Sequence, residues 1–264
     1  MTRPVSIAMY EPGGAANAAL WDGLRAYLAA DGVNDLPEDL TVPADYETTW
    51  LDPHLLLSQT CGYPLRHRLE RRVRYVGTPV YEVDGTDGPF YRSAIVVRAD
   101  DPAEALVELR GRRAAYNGLT SQSGYNAFRD LVAPLARHGR FFANVIETGS
   151  HAASLRAVIA DKADIAAIDP VSLALEPEEI RKAIKVIGWS EATPGLPYIT
   201  AGASSDEDVN TLRRNISSAF GDAVTAEPRA YLKLSGFHIL DETAYDSILA
   251  MEHRALDRGY PLLA

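Results

Sequence analysis

Two short polar segments carry the residue types that hold an anion. Ser121-Gln122-Ser123-Gly124 follows an apolar strand pattern from Arg113 to Asn117 and precedes a helical pattern from Tyr125 to Arg137. Thr148-Gly149-Ser150-His151 stands likewise between a strand pattern, Phe142 to Glu147, and a helical one, His151 to Ala160. Helix N-termini present unpaired backbone N–H groups and the positive end of the helix dipole. Hydroxyls and a glycine at such a terminus form a cradle for a phosphate-like oxyanion. The same residues also make an ordinary serine cap with a polar loop, and the spacing alone leaves both readings open. His151 either donates a ring N–H to the anion or simply begins a helix. If the two strands run parallel, both segments share one sheet edge, where ligands of open α/β sheets bind.

Other residues extend this set. Asp169 closes the next strand pattern, Asp164 to Ile168, and either accepts a hydrogen bond from a ligand amine or hydroxyl or starts a turn with Pro170. Tyr10 ends the first strand pattern, and Gln59 and Thr60 end another, so an aromatic ring and an amide can face a ligand from a second lobe. Catalytic patterns are missing. The serine segment is not a G-x-S-x-G elbow, and Cys61 has no positional His–Asn partner. The six histidines never fall four apart and no cysteine pair exists, so no metal site and no cofactor are expected. Gly13-Gly14 lacks the G-x-G-x-x-G spacing of a dinucleotide loop. These residues describe a binder rather than an enzyme.

The elements that must position them follow an α/β pattern. Val5 to Tyr10 reads as a buried strand, Glu11-Pro12-Gly13-Gly14 as a turn, and Asn17 to Ala29 as a helix with Leu20, Trp21, Leu24 and Leu28 on one face. Arg72 to Tyr81, Tyr91 to Arg98 and Ile184 to Trp189 read as strands. Pro102 to Leu109, 206–223, 226–234 and Tyr245 to Arg258 read as helices. The β-α alternation between 91 and 169 predicts a largely parallel sheet with helices on both faces. Two loop-rich stretches, 84–92 and 190–198, bracket this block, as for an inserted lobe with a ligand cleft beside it.

The 264 residues carry a net charge of −10, from 36 acidic and 26 basic side chains. That balance repels phosphate backbones and argues against a nucleic-acid or anionic-membrane partner. The local exception, Arg66, Arg68, Arg71, Arg72 and Arg74, reads as a solvated basic face, with a protein-interaction surface as the alternative. No apolar run approaches the ~20 residues of a membrane span. One cysteine forms no disulfide within the chain, and the N-terminus lacks the apolar core of a secretory signal. A cytoplasmic location is expected as the chain reads, or a periplasmic one for a processed or mis-started form.

Tyr91-Arg-Ser-Ala-Ile-Val-Val-Arg98, Leu109-Arg-Gly-Arg-Arg113, Ser121-Gln-Ser-Gly-Tyr125, Thr148-Gly-Ser-His151 and Ala163 to Asp169 together resemble the phosphonate-binding, PhnD-like family of ABC-transporter solute-binding proteins. Gln59 to Pro64 and Thr78 to Tyr81 fit the same pattern. The resemblance implies a type II periplasmic-binding fold: two α/β lobes, 1–88 with 198–264 and 89–197, joined by two crossover segments around a ligand cleft. It implies a protein that closes on a small oxyanion such as phosphonate, phosphate or phosphite. A transporter permease would be its partner; a cytosolic sensor or an enzyme on the same scaffold is the alternative. By the same resemblance Ser121, Ser123 and Gly124 with His151 hold the oxyanion, Asp169 faces a ligand amine, and Tyr10 supplies an aromatic wall. Gln122 stands where the family has threonine, replacing a hydroxyl with an amide and admitting a carboxylate or another oxyanion.

Overall fold

The computed structural model describes residues 3–10 and 14–264. Residues 11–13 of the expected Glu11–Gly14 turn lie outside the described residues. The chain forms two compact units, Met1–Glu82 with Pro194–Ala244, and Val83–Thr193 with Tyr245–Ala264.

In the first unit a five-stranded sheet runs in the order Val5–Ser6, Leu57–Gln59, Tyr198–Ala201, Val73–Tyr81, Leu234–His238. The first two strands are parallel and the remaining pairs antiparallel. Helix Ala15–Ala30 buries Leu20, Trp21, Leu24 and Leu28, the stripe expected at helical spacing. These side chains share a core with Val5, Leu57 and Val76 of the sheet and with Leu212, Ile216 and Phe220 of helix Asp206–Gly221. That helix begins with a capping box, Ser205 accepting from Asp208 N–H while the Asp208 carboxylate accepts from Ser205 N–H.

The second unit holds the sheet that carries the serine and histidine segments, in the order Ile184–Trp189, Ala94–Arg98, Ile165–Ile168, Arg113–Tyr116, Asn144–Glu147. Successive residues enter opposite cores: Ile95, Val97, Ala114, Ile165 and Ala167 face one, Ala94, Val96, Ala115, Ala166 and Ile168 the other. That two-sided burial explains the unbroken apolar runs. Strand Arg113–Tyr116 is parallel to both its neighbours. Ala94–Arg98 is antiparallel to both of its own, so the sheet is mixed rather than largely parallel. The chain enters along Ala94–Arg98 and leaves along the adjacent Ile184–Trp189, and an entering and a departing strand side by side must run in opposite senses.

Three local readings change. The Tyr91 to Arg98 run divides at Arg92-Ser93, with Phe90–Tyr91 pairing in a small sheet with Thr86–Asp87. Pro102 to Leu109 forms only a 3-10 turn, Leu106–Leu109. The helix expected from Tyr125 to Arg137 starts earlier as a π-turn, Gln122–Asn126, continues as Ala127–Val132, and tightens to a 3-10 turn at Ala133–Leu135 around Pro134. The larger difference concerns residues 245–264, expected with the first lobe. Helix Asp246–Asp257 packs on Ala127–Val132, and Ala255, Tyr260 and Leu263 enter the core of the second unit. The Ala264 carbonyl accepts from Phe141 and Phe142 N–H at 2.7 and 3.0 Å. Amphipathic spacing shows that a helix has an apolar face but not what the face meets.

Candidate functional site

The serine segment of the second unit is a π-turn, a geometry frequent at functional sites. Ser121 caps it, its Oγ accepting from Gly124 N–H at 3.0 Å, which leaves the Ser121 hydroxyl proton free to donate elsewhere. At the next strand-to-helix junction Gly149 takes φ +89°, a left-handed conformation that favours glycine. Ser150 then caps helix His151–Ile159 by accepting from Ala153 N–H at 3.1 Å. Thr148 locks the junction to the sheet, donating to the Tyr116 carbonyl at 3.0 Å and lying 2.7 Å from Ser154 Oγ.

The two junctions meet. Ser123 Oγ lies 3.0 Å from His151 Nε2, and Asn117 Nδ2 lies 3.3 Å from the same nitrogen. Gly124 makes this approach feasible, because a β-carbon there would sit 2.0 Å from Asn117 Oδ1 and 3.0 Å from His151 Cε1. His151 Nδ1 and Asn117 Oδ1 are both buried without a hydrogen-bond partner in the protein. Burial holds the His151 imidazolium unfavourable and pushes the pKa down to about 4, so the ring is neutral at physiological pH. Beside them Tyr116 donates to Glu147 Oε2 at 3.2 Å. Burial and that carboxylate raise the tyrosine pKa.

Gln122 and Asp169 hold other positions. Gln122 is buried, its Nε2 3.3 Å from Met251 Sδ and its Oε1 accepting from Asn126 Nδ2 at 2.8 Å. Its amide therefore ties the π-turn to helix Asp246–Asp257. Asn126 also donates to the Ile248 carbonyl and accepts from Arg129, whose guanidinium reaches Pro261 O at 2.8 Å and Glu252 at 3.3 Å. Asp169 is buried and caps helix Pro170–Leu175, its Oδ1 accepting from Val171 and Ser172 N–H.

The first-unit candidates form a set of their own. Tyr10 packs edge-on against Tyr81, with ring centroids 5.0 Å apart. Gln59 donates to Tyr81 OH at 3.1 Å and to the Leu196 carbonyl at 3.3 Å, while its Oε1 is buried without a partner. Thr60 is fully buried and its N–H donates to the Pro197 carbonyl at 3.0 Å. The arginine-rich stretch is largely neutralised by ion pairs, Arg66 with Glu70, Arg68 with Glu47 and Arg74 with Asp206.

Asn117, absent from the sequence-derived set, is the residue the structure adds. The available signal was position: like Thr148 and Asp169, it is a polar side chain at the carboxyl end of a strand. A cavity of about 770 Å³ in the second unit, walled by Trp189, Tyr91 and Arg92, includes none of the serine or histidine residues. Among the described residues no cluster of three His, Cys, Asp or Glu side chains could hold a metal. No described helix is long and apolar enough to cross a membrane.

Residues 54–246 match the model of a family described as ABC transporter, phosphonate, periplasmic substrate-binding protein. No curated protein matches the chain. Among solved structures it resembles a binding protein component of an ABC phosphonate transporter from Pseudomonas aeruginosa, at 19% identity and TM-score 0.76 over 97% of this chain and 88% of that one. PhnD1 from Prochlorococcus marinus in complex with methylphosphonate is similar at 13% identity and TM-score 0.73, over 97% and 98%. A Xanthomonas citri protein bound to ATP is similar at 15% identity and TM-score 0.70, over 98% of each chain. At these identities the likeness shows the fold alone, that of the type II periplasmic binding proteins.

Proposed function

Because this chain belongs to the family of phosphonate periplasmic substrate-binding proteins of ABC transporters, solute binders rather than enzymes, we infer that Ser121, Ser123 and His151 hold the oxygens of a small phosphorus oxyacid. The ligand class is phosphonate, phosphate or phosphite. The observation that carries this reading is the convergence of two capped strand-to-helix junctions on one contact, Ser123 Oγ to His151 Nε2 at 3.0 Å. Two hydroxyls and a neutral ring supply short, directional hydrogen bonds, and the Ser150-capped helix turns its positive end toward the same place.

The buried amide of Gln122 serves the packing of the turn, which supports a phosphorus ligand rather than a respecialised carboxylate site. Asp169, with its carboxylate on helix-terminal N–H groups, acts through the helix it caps. The assignment for the anion rests on the second unit; Tyr10, Gln59 and Thr60 are proposed as ligand-binding residues of the first unit. The compartment is the periplasm named by the family, and the partner is the permease of such a transporter.

The test is thermal stabilisation by phosphate, phosphite, methylphosphonate, sulfate and acetate. A ligand at 100 times its dissociation constant adds about 2.7 kcal/mol, a visible shift in melting temperature. A shift with a phosphorus oxyanion is expected. Ser123→Ala is expected to weaken that ligand by about 1.5–3 kcal/mol, roughly ten- to a hundredfold. Shifts confined to acetate, or unchanged affinity in Ser123→Ala, would remove the assignment.

A further inference from the structure

We propose that the second unit docks on an anionic lipid surface through an arginine-rich face at the sheet edge opposite the serine and histidine residues. The face takes no part in the function proposed above and stands independently of it.

Two turns build the face. Arg137-His138-Gly139-Arg140 is a tight reversal, with Arg137 N–H donating to the Arg140 carbonyl at 2.8 Å and Arg140 N–H to the Arg137 carbonyl at 3.1 Å. His138 and Gly139 take φ +53° and +71°, the left-handed pair of a two-residue hairpin turn. Gly259, at φ +69°, follows the last helix and lies beside that turn. A β-carbon on Gly139 would sit 3.5 Å from the Gly259 carbonyl oxygen. The Phe141 carbonyl accepts from Gly111 N–H at 2.8 Å, which brings Arg110 to the same place. Arg110 and Arg140 precede strands Arg113–Tyr116 and Asn144–Glu147, whereas Asn117 and Thr148 follow them. These strands are parallel, so the arginines and the candidate anion site occupy opposite edges of the sheet.

The charge on this face is uncompensated. Nearby, Arg98, Arg112 and Arg113 are neutralised by Asp100, Asp101, Asp161 and Asp164. Arg110, Arg137, Arg140 and Arg258 have no carboxylate partner among the described residues. Arg110 lies over the Phe141 ring and donates to the Leu135 carbonyl, and Arg258 donates to the Arg254 carbonyl at 3.3 Å. Asp257 is the one acidic residue within 137–140 and 256–262. The chain's net charge of −10 does not override this local excess, because salt screens charges beyond about 8 Å. Leu256 and Leu262, 45% and 62% exposed, flank Arg258 along the chain. Every residue of 137–140 and 256–259 is exposed. Projecting turns offer no groove to grip a peptide. They do reach a flat surface, where guanidinium groups bond lipid phosphates and leucines enter the interface.

Vesicle flotation tests this. The wild-type protein is expected to bind vesicles of phosphatidylglycerol in phosphatidylcholine but not phosphatidylcholine alone, and to release as salt rises from about 0.05 M to about 0.5 M. The double variant Arg137→Gln/Arg140→Gln should bind about twentyfold more weakly, roughly fivefold for each arginine. Its melting temperature should be unchanged, because neither guanidinium has a hydrogen-bond or ion-pair partner in the protein. Leu262→Ser should weaken binding at every salt concentration. Equal binding to neutral vesicles, binding to neither, or wild-type binding by either variant overturns the proposal. Preferential capture by poly-glutamate in competition with the anionic vesicles also overturns it, and would make the partner an acidic protein segment.

Discussion

At the scale of single residues, the candidate site is built from neutral groups, and burial keeps His151 among them. His151 makes this measurable. Its folded pKa of about 4 lies below the ordinary 6.5, so the unfolded chain binds the extra proton first. Stability from this group is fully present above pH 6.5 and is lost as pH falls through the window from 6.5 to 4. Between pH 7 and 4.5 the loss amounts to about 2–3 kcal/mol. His151→Gln should lack it, so denaturant unfolding of the two proteins at both pH values is expected to show a shallower pH dependence in the variant. Equal slopes would mean that the ring titrates normally. The serines and the histidine were legible as candidates in the sequence because their signal is local: a hydroxyl or imidazole at a strand-to-helix junction. Asn117 was not, because its partner stands 34 residues away and meets it only where Gly124 leaves room.

Among elements, the π-turn at Gln122–Asn126 is held from below by helix Asp246–Asp257. Arg129 is the centre of that joint, 4% exposed, bonded to Asn126 Oδ1, Pro261 O and Glu252 and lying over the Tyr125 ring. Removing one partner of a buried ion pair leaves the other uncompensated and typically costs about 3–5 kcal/mol. Arg129→Met is therefore expected to lower the unfolding free energy by that amount in urea. A change under ~1 kcal/mol would show the network to be ornamental to stability. The sequence placed a helix near Tyr125 but could not show its irregular start. The extra residue in the turn is stabilised by Asn126 donating to Gln122 within the turn, and by Asn126 and Gln122 reaching Ile248 and Met251, contacts that span more than a hundred residues.

In the whole molecule, each unit has its own sheet and core, and the chain passes between the units three times rather than the two expected. The third passage returns residues 245–264 to the second unit, where Ala255, Tyr260 and Leu263 cover Phe128, Phe141 and Phe142. Deleting 245–264 should uncover that core. Hydrogen exchange is expected to show lost protection in Arg113–Tyr116 and Asn144–Glu147, with Leu57–Gln59 of the first unit retained. Unchanged protection in the second unit would contradict this dependence. Residue type and spacing by themselves determined the α/β class, most of the strands of the second unit and the two strand-to-helix junctions, because each is written in short-range pattern. Tertiary structure alone decided the strand directions beside Ala94–Arg98, the seat of the last helix, the inward use of Gln122 and the meeting of Asn117 with His151. Those depend on which apolar faces and polar groups find each other across the chain, and burial rather than local propensity makes that choice.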